Sequence, residues 1–309
     1  MESALPLLLG TIALRPYVFA FLLAYLLGCS LHLGVKRAVL FCAAGYLIAW
    51  ASEFSSIHNG IPYGLYYYVP HTKDRELWLM GVPFMDSLSY VFLAYASYSM
   101  ALVVISPVAR LKGTLYLLET RALRRSLAAK VLGALFLVYL DIIIDPVALQ
   151  GHKWFLGRIY GYPERGDYFG VPIFNFIGWF ATGLLMISAL QGIDGCLHRK
   201  GVRDYTGHRY HRRYLIGPAL YCGVLLFNLT VTFAIREYTI GWTGIFIILL
   251  PSVLLHSLIR QKLCRGNPEE AFEAHLADFP RVVLPGTAAN GAIRHNPGPR
   301  QNLVKKTAP

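Results

Sequence analysis

Four acidic side chains stand in places where acids are costly. Glu53 lies in WASEFSSIH (Trp50 to His58), Asp86 follows Pro83 by three residues, and Asp141 and Asp145 sit in LDIIIDP (Leu140 to Pro146), each within or at the end of an apolar run. A charged side chain at the centre of a membrane helix costs about 2.5–3.5 kcal/mol on insertion scales, so acids retained there are candidates for function. Asp141 and Asp145, four apart, share one helical face. A carboxyl group in an apolar pocket can keep its proton and donate it, while a second carboxylate faces a cation or takes a proton from water. Acid–base chemistry on an apolar substrate is therefore open to this set. Asp86 in a first turn also compensates a helix dipole, and Asp145 precedes a proline expected to stop its helix. Glu53 and Asp141 have no such local role.

Other side chains near the acids could assist. His58 is a candidate proton partner of Glu53. Asn175 could orient water or a carboxyl, or cap its helix. Trp50, Tyr63 and Trp179 stand close in sequence to the acids or to helix starts, and aromatic faces stabilise cations through their quadrupole. The remaining outer-loop aromatics (Tyr66, Tyr67, Tyr68, Trp78, Trp154, Tyr160, Tyr162 among them) read mostly as an interfacial belt.

The elements that must position these groups are membrane helices. The chain is 55% hydrophobic and 15% charged, against roughly 25% charged in an average soluble domain. Apolar runs near the roughly 20 residues a bilayer requires are read at 16–34, 38–57, 82–106, 127–149, 171–192, 214–235 and 239–259, giving about seven spans in an all-α transmembrane bundle. Of the 29 Lys and Arg, 22 fall in segments on one side, including the C-terminal tail, and 7 on the other. This bias predicts a multi-pass protein of the cell membrane with its N-terminus outside and its C-terminus cytoplasmic. It also accounts for the net charge of +12 without nucleic acid as a partner. The apolar stretch after Arg15 is long enough to span and lacks a basic leader, so a cleaved signal peptide is not expected. Residues 1–264 read as the membrane domain and 265–309, rich in Pro, Gly, Asn and charge, as a disordered cytoplasmic tail.

Five dispersed cysteines without CxxC spacing indicate neither a disulfide framework nor zinc, and the ten histidines are scattered, the close pair His208 and His211 lying in a basic run. No metal is expected.

The segment Gly81-Val82-Pro83-Phe84-Met85-Asp86 recurs as Gly170-Val171-Pro172-Ile173-Phe174-Asn175, and Glu53 recurs as Asp141. The second and third spans thus form a parallel repeat with the fourth and fifth, about an axis along the membrane normal. All four acids then approach one membrane face.

Taken in order, Glu53, NGIPYGLYYY (Asn59 to Tyr68), GVPFMDSLSY (Gly81 to Tyr90), LDIIIDP and GVPIFNFIGW (Gly170 to Trp179) resemble the carotenoid hydratase family, which includes the CruF-type carotenoid 1',2'-hydratases and bisanhydrobacterioruberin hydratase. The resemblance covers roughly residues 45 to 190. The family loop typically reads TGFPFGxYxY, a departure that bears on substrate more than on reaction. The resemblance implies a hydro-lyase that adds water to the terminal double bond of an acyclic carotenoid and leaves a tertiary alcohol. It implies no cofactor, and as partners the carotenoid, membrane lipid and other enzymes of the pathway. Catalysis would fall to Glu53, Asp86, Asp141 and Asp145, with one carboxyl from each half, and substrate contacts to Trp50, His58, Tyr63, Asn175 and Trp179. A cyclase protonating the same end group, and a non-catalytic lipid- or carotenoid-binding or transport protein, are the alternatives. No lysine lies in the seventh span for a retinal Schiff base.

Overall fold

The computed structural model describes residues 4–111, 114–202, 213–264 and 269–279. Among them the helices are α1 (Ala4–Leu14), α2 (Pro16–His32), α3 (Val35–Asn59), α4 (Phe84–Ile105), the single turn α5 (Arg121–Arg124), α6 (Leu127–Ala148), α7 (Ile173–Arg199), α8 (Ile216–Ala234), α9 (Tyr238–Cys264) and α10 (Glu269–Asp278). Three short antiparallel pairs join loops: β1 (Tyr67–Tyr68) with β6 (Tyr160–Gly161), β2 (Trp78–Leu79) with β3 (Val82–Pro83), and β4 (Val108–Leu111) with β5 (Thr114–Leu117). The chain is an all-α polytopic bundle. Among the described residues six helices are long and apolar enough to cross a membrane, and the α1–α2 pair, bent by 92°, makes a seventh if it is counted as one broken span.

The expected spans correspond to α2, α3, α4, α6, α7, α8 and α9. Helix α1 was not among them. It turns off α2 at Arg15, whose guanidinium is buried against Glu76 at 3.2 Å, and Pro16 starts the new helix at a position where its missing N–H costs nothing. Pro146 lies inside the last turn of α6, which continues to Ala148, so the proline does not end the helix where the sequence places the stop.

Helices α3, α4, α6 and α7 close a ring in which α3 and α6 each pack on both α4 and α7. Helix α4 is its hub and is buried along most of its length, whereas α9 is largely exposed. Small residues set these approaches. A Cβ on Gly133 of α6 would stand 3.3 Å from the Tyr98 backbone of α4, and one on Gly183 of α7 would stand 3.2 Å from Ala134 of α6.

The repeat is written into the backbone. Met80 and Phe169 both adopt φ of 51°, followed by Gly81 at 87° and Gly170 at 93°. Pro83 and Pro172 then cap α4 and α7 in the same extended conformation. A left-handed Met and Phe are uncommon, and the following glycine carries the larger excursion at no steric cost.

At the opposite end, a buried cluster ties α2 to the β4–β5 hairpin. Glu119 accepts from His32 Nε2 at 2.8 Å and from Arg124 Nε at 2.7 Å. Burial alone would push the Glu119 carboxyl up, but the charges and hydrogen bonds of His32 and Arg124 hold it well below the usual carboxylate range. Within the segment expected to be a disordered tail, residues 269–278 form α10, with an acidic first turn. Phe272 and Leu276 cover the hairpin, Phe279 lies 4.6 Å from the Arg124 guanidinium, and His275 reaches the Glu119 carbonyl at 2.6 Å. The rest of that segment, like His208 and His211, lies outside the described residues. Because Glu119 is 3% exposed and neutralises the buried Arg124 guanidinium, Glu119→Gln leaves buried charge uncompensated, a loss of about 3–5 kcal/mol. Thermal unfolding of the purified protein should show a markedly lower midpoint, and an unchanged one would contradict this account of the cluster.

Candidate active site

The four acids meet at the end of the ring where α3 and α6 finish and α4 and α7 begin. Glu53, on the buried stripe of α3, is 1% exposed. Tyr68, the last residue of β1, places its hydroxyl 3.0 Å from Glu53 Oε1 and 2.7 Å from Asp86 Oδ2. Ser87 Oγ donates to the other Glu53 oxygen. A phenol has one proton, so both Tyr68 contacts are made together only when one of the two carboxyls also carries a proton.

The second half is built alike. Asn175 in the first turn of α7 donates both amide hydrogens, one to Asp141 Oδ2 at 2.8 Å and one to Asp145 Oδ2 at 2.7 Å. The hydroxyls of Tyr160 and Tyr162 donate to Asp145 at 3.0 and 3.2 Å. Asp145 thus receives three donors, and Asp141 Oδ1 is buried with no partner among the described residues. Tyr68 and Tyr160 are direct partners across the β1–β6 ladder, and each follows its acid, Glu53 or Asp145, by 15 residues. Burial, reinforced by the neighbouring carboxylates, pushes the phenols of Tyr68, Tyr160 and Tyr162 well above their ordinary value. All three remain neutral donors at any physiological pH.

Asp86 and Asp145, one from each half, line a single cavity of about 110 Å³. Its other walls are largely apolar and aromatic, including Phe21, Leu93, Ile144, Trp154, Tyr90 and Trp179. Tyr90 and Trp179 stack face to face, 4.2 Å apart and within 3° of parallel. The space is several times what a single water needs and has room for a small branched hydrocarbon group. Glu53 and Asp141 stand behind Asp86 and Asp145. The cavity therefore offers a carboxyl from each half, an aromatic wall for a cation, and a largely apolar lining.

The structure brings together Glu53, Asp86, Asp141, Asp145, Asn175 and Trp179. Tyr63 lies one layer out, its hydroxyl 2.9 Å from Thr182 Oγ1 and its ring against Trp179. Trp50 and His58 do not reach the site. They flank Phe54 on the outer side of α3, Trp50 donating to the Leu79 carbonyl and His58 Nδ1 lying 2.7 Å from the Phe54 carbonyl. Sequence reading missed Tyr68, Tyr160, Tyr162, Ser87 and Tyr90 as site groups. The shared 15-residue spacing from an acid to a tyrosine was the available signal for the first two.

Gly178 explains how the aromatic wall is held. A Cβ there would stand 2.5 Å from the Tyr63 ring and 2.7 Å from the Pro62 carbonyl oxygen. Only glycine lets α7 run this close to the loop before Tyr63. Gly178→Ala is expected to cost about 1–3 kcal/mol through overpacking, read as a lower unfolding midpoint. An unchanged midpoint would mean that the loop is free to move away.

A profile of the family described as "carotenoid biosynthesis protein" matches residues 3–251. Bisanhydrobacterioruberin hydratase from Haloarcula japonica is 28% identical over 212 residues, which cover 66% of this chain and 64% of that protein. The chain thus spans somewhat less than two thirds of the curated relative it matches. No solved structure matches. The profile runs through every element that builds the cavity, from α1 into α9, and on that extent the chain belongs to the carotenoid biosynthesis protein family.

Proposed function

We propose that this protein is a hydro-lyase that hydrates the terminal double bond of an acyclic carotenoid, leaving a tertiary alcohol. The observation that carries the reading is the pair of carboxyls, Asp86 and Asp145, contributed by the two repeats to one apolar cavity walled by Tyr90 and Trp179. Asp86 gives a proton to the less substituted alkene carbon, and the tertiary cation forms beside the aromatic wall. The Glu53–Tyr68–Asp86 chain, which needs an extra proton to complete its hydrogen bonds, is the acid side and returns a proton to Asp86. Asp145, held by three donors, is the base. It faces the cation and takes a proton from the water that attacks; loss of that proton to solvent, and gain of one from solvent on the Glu53 side, reset both carboxyls for the next turnover. Asn175 keeps Asp141 and Asp145 in register.

The end group enters the cavity while the polyene stays among helices or lipid. The basic bias supports a cavity at the outer leaflet of the cell membrane and a Glu119 cluster at the cytoplasmic side. On this reading residues 1–264 carry the reaction. Expression in a host that accumulates lycopene or another acyclic carotenoid tests the proposal. A pigment heavier by one or two waters is expected, whereas an isomer of unchanged mass would indicate a cyclase, and unchanged pigment across several acyclic substrates would remove the enzyme reading.

A further inference from the structure

Protonating an alkene does not by itself make an alcohol. The cation can equally lose a proton and return to an alkene, or close a ring, so a hydratase needs a group that holds one water against the cation. Another wall of the cavity is formed by α8, which packs on both α4 and α6. That helix presents Val224, Phe227 and Asn228 to the cavity. Asn228 is 6% exposed, and its Nδ2 donates to the Val224 carbonyl of its own helix at 2.9 Å. This bond fixes the amide plane and leaves Oδ1 and one N–H without a protein partner among the described residues. A buried amide with an unused acceptor in an apolar wall is costly unless something else fills it. A water meets that need.

Resting on the hydratase reading above, we infer that Asn228 positions the attacking water and so decides that the cation ends as alcohol rather than alkene. The water donates one hydrogen to Asn228 Oδ1 and directs the other toward the Asp145 carboxylate. A lone pair on its oxygen faces the cation. The carbon–oxygen bond forms as the second hydrogen passes to Asp145, so the net change is addition of one water, with no oxidant or reductant. Asn228 exchanges no proton itself.

The test uses membranes containing the full chain, an acyclic carotenoid with a trisubstituted terminal double bond, and buffer made in heavy water. Pigments are analysed by mass. The wild-type protein is expected to give alcohol bearing one deuterium on the carbon adjacent to the one that carries the new hydroxyl. In Asn228→Leu, similar in size but without an acceptor, the alcohol should fall at least tenfold while recovered alkene, including any isomer, gains deuterium. Protonation then persists and capture fails. Asn228→Asp, which keeps an acceptor oxygen, should restore alcohol over the Leu variant. Alcohol formed by Asn228→Leu at the wild-type rate would overturn the inference. Loss of alcohol and deuterium together in that variant, or an Asp variant no better than Leu, would overturn it as well, assigning the residue to packing or protonation. A wild-type protein giving neither alcohol nor deuterated alkene would instead defeat the hydratase reading on which the inference rests.

Discussion

Asp86→Asn is expected to lower hydration of an acyclic carotenoid by about 10³-fold, within the range of roughly 10²–10⁴ that a positioned general acid supplies. The amide keeps the shape of the side chain and its place in the cavity wall but has no proton to give. Protein level and unfolding midpoint should stay close to wild type, which separates this loss from a folding defect. Deuterium should also cease to enter recovered alkene, since no cation forms. Asp145→Asn is the informative partner. It strips the carboxylate from the hydroxyls of Tyr160 and Tyr162 and from Asn175, and it removes the base. A retained wild-type rate in both variants would place the chemistry elsewhere.

Tyr68→Phe should cost about 10- to 100-fold, the equivalent of roughly 1–3 kcal/mol for two buried carboxyls that lose a shared partner. The change removes a single oxygen, yet that oxygen is the link between Glu53 and Asp86. Its effect should therefore exceed that of Tyr162→Phe, because Asp145 keeps donors from Tyr160 and Asn175. The sign of the pH dependence follows from the raised phenol. The neutral form persists above the ordinary tyrosine value of about 10, so no loss of activity from Tyr68 ionisation should appear below that pH. Initial rates of pigment conversion, wild type against variant, check both statements. Equal rates in the Tyr68 and Tyr162 variants would mean that the proton does not pass through Tyr68.

Much of this architecture is legible in the chain because membrane helices declare themselves by length and apolarity. Six of the seven expected spans and both GVP helix starts could be read directly, and so could the acids, since charge in an apolar run is conspicuous. The echo of Glu53 in Asp141 predicted the shared face. What escaped depends on contacts across long separations or on helical phase. Tyr68 and Tyr160 stand in loops, and their role appears only when β1 pairs with β6. His58, five residues beyond Glu53, falls about 140° around α3 from it, and Trp50 lies at the edge of the buried stripe and turns to the Leu79 carbonyl. Closeness in sequence was a poor guide for both. Helix α10 carries little apolar surface of its own, and its place is set by the hairpin and by the buried Glu119 cluster it covers. Its sequence, read alone, resembles a soluble tail.

The most direct measurement incubates the purified protein in lipid nanodiscs with an acyclic carotenoid in water labelled with heavy oxygen, with nothing else added. A tertiary alcohol carrying one labelled oxygen per reacted end, formed by wild type and lost in Asp86→Asn, is the expected outcome. Pigment recovered unlabelled, or label that enters equally with both carboxyl-bearing and amide-bearing cavities, would contradict water addition by carboxyls from the two repeats.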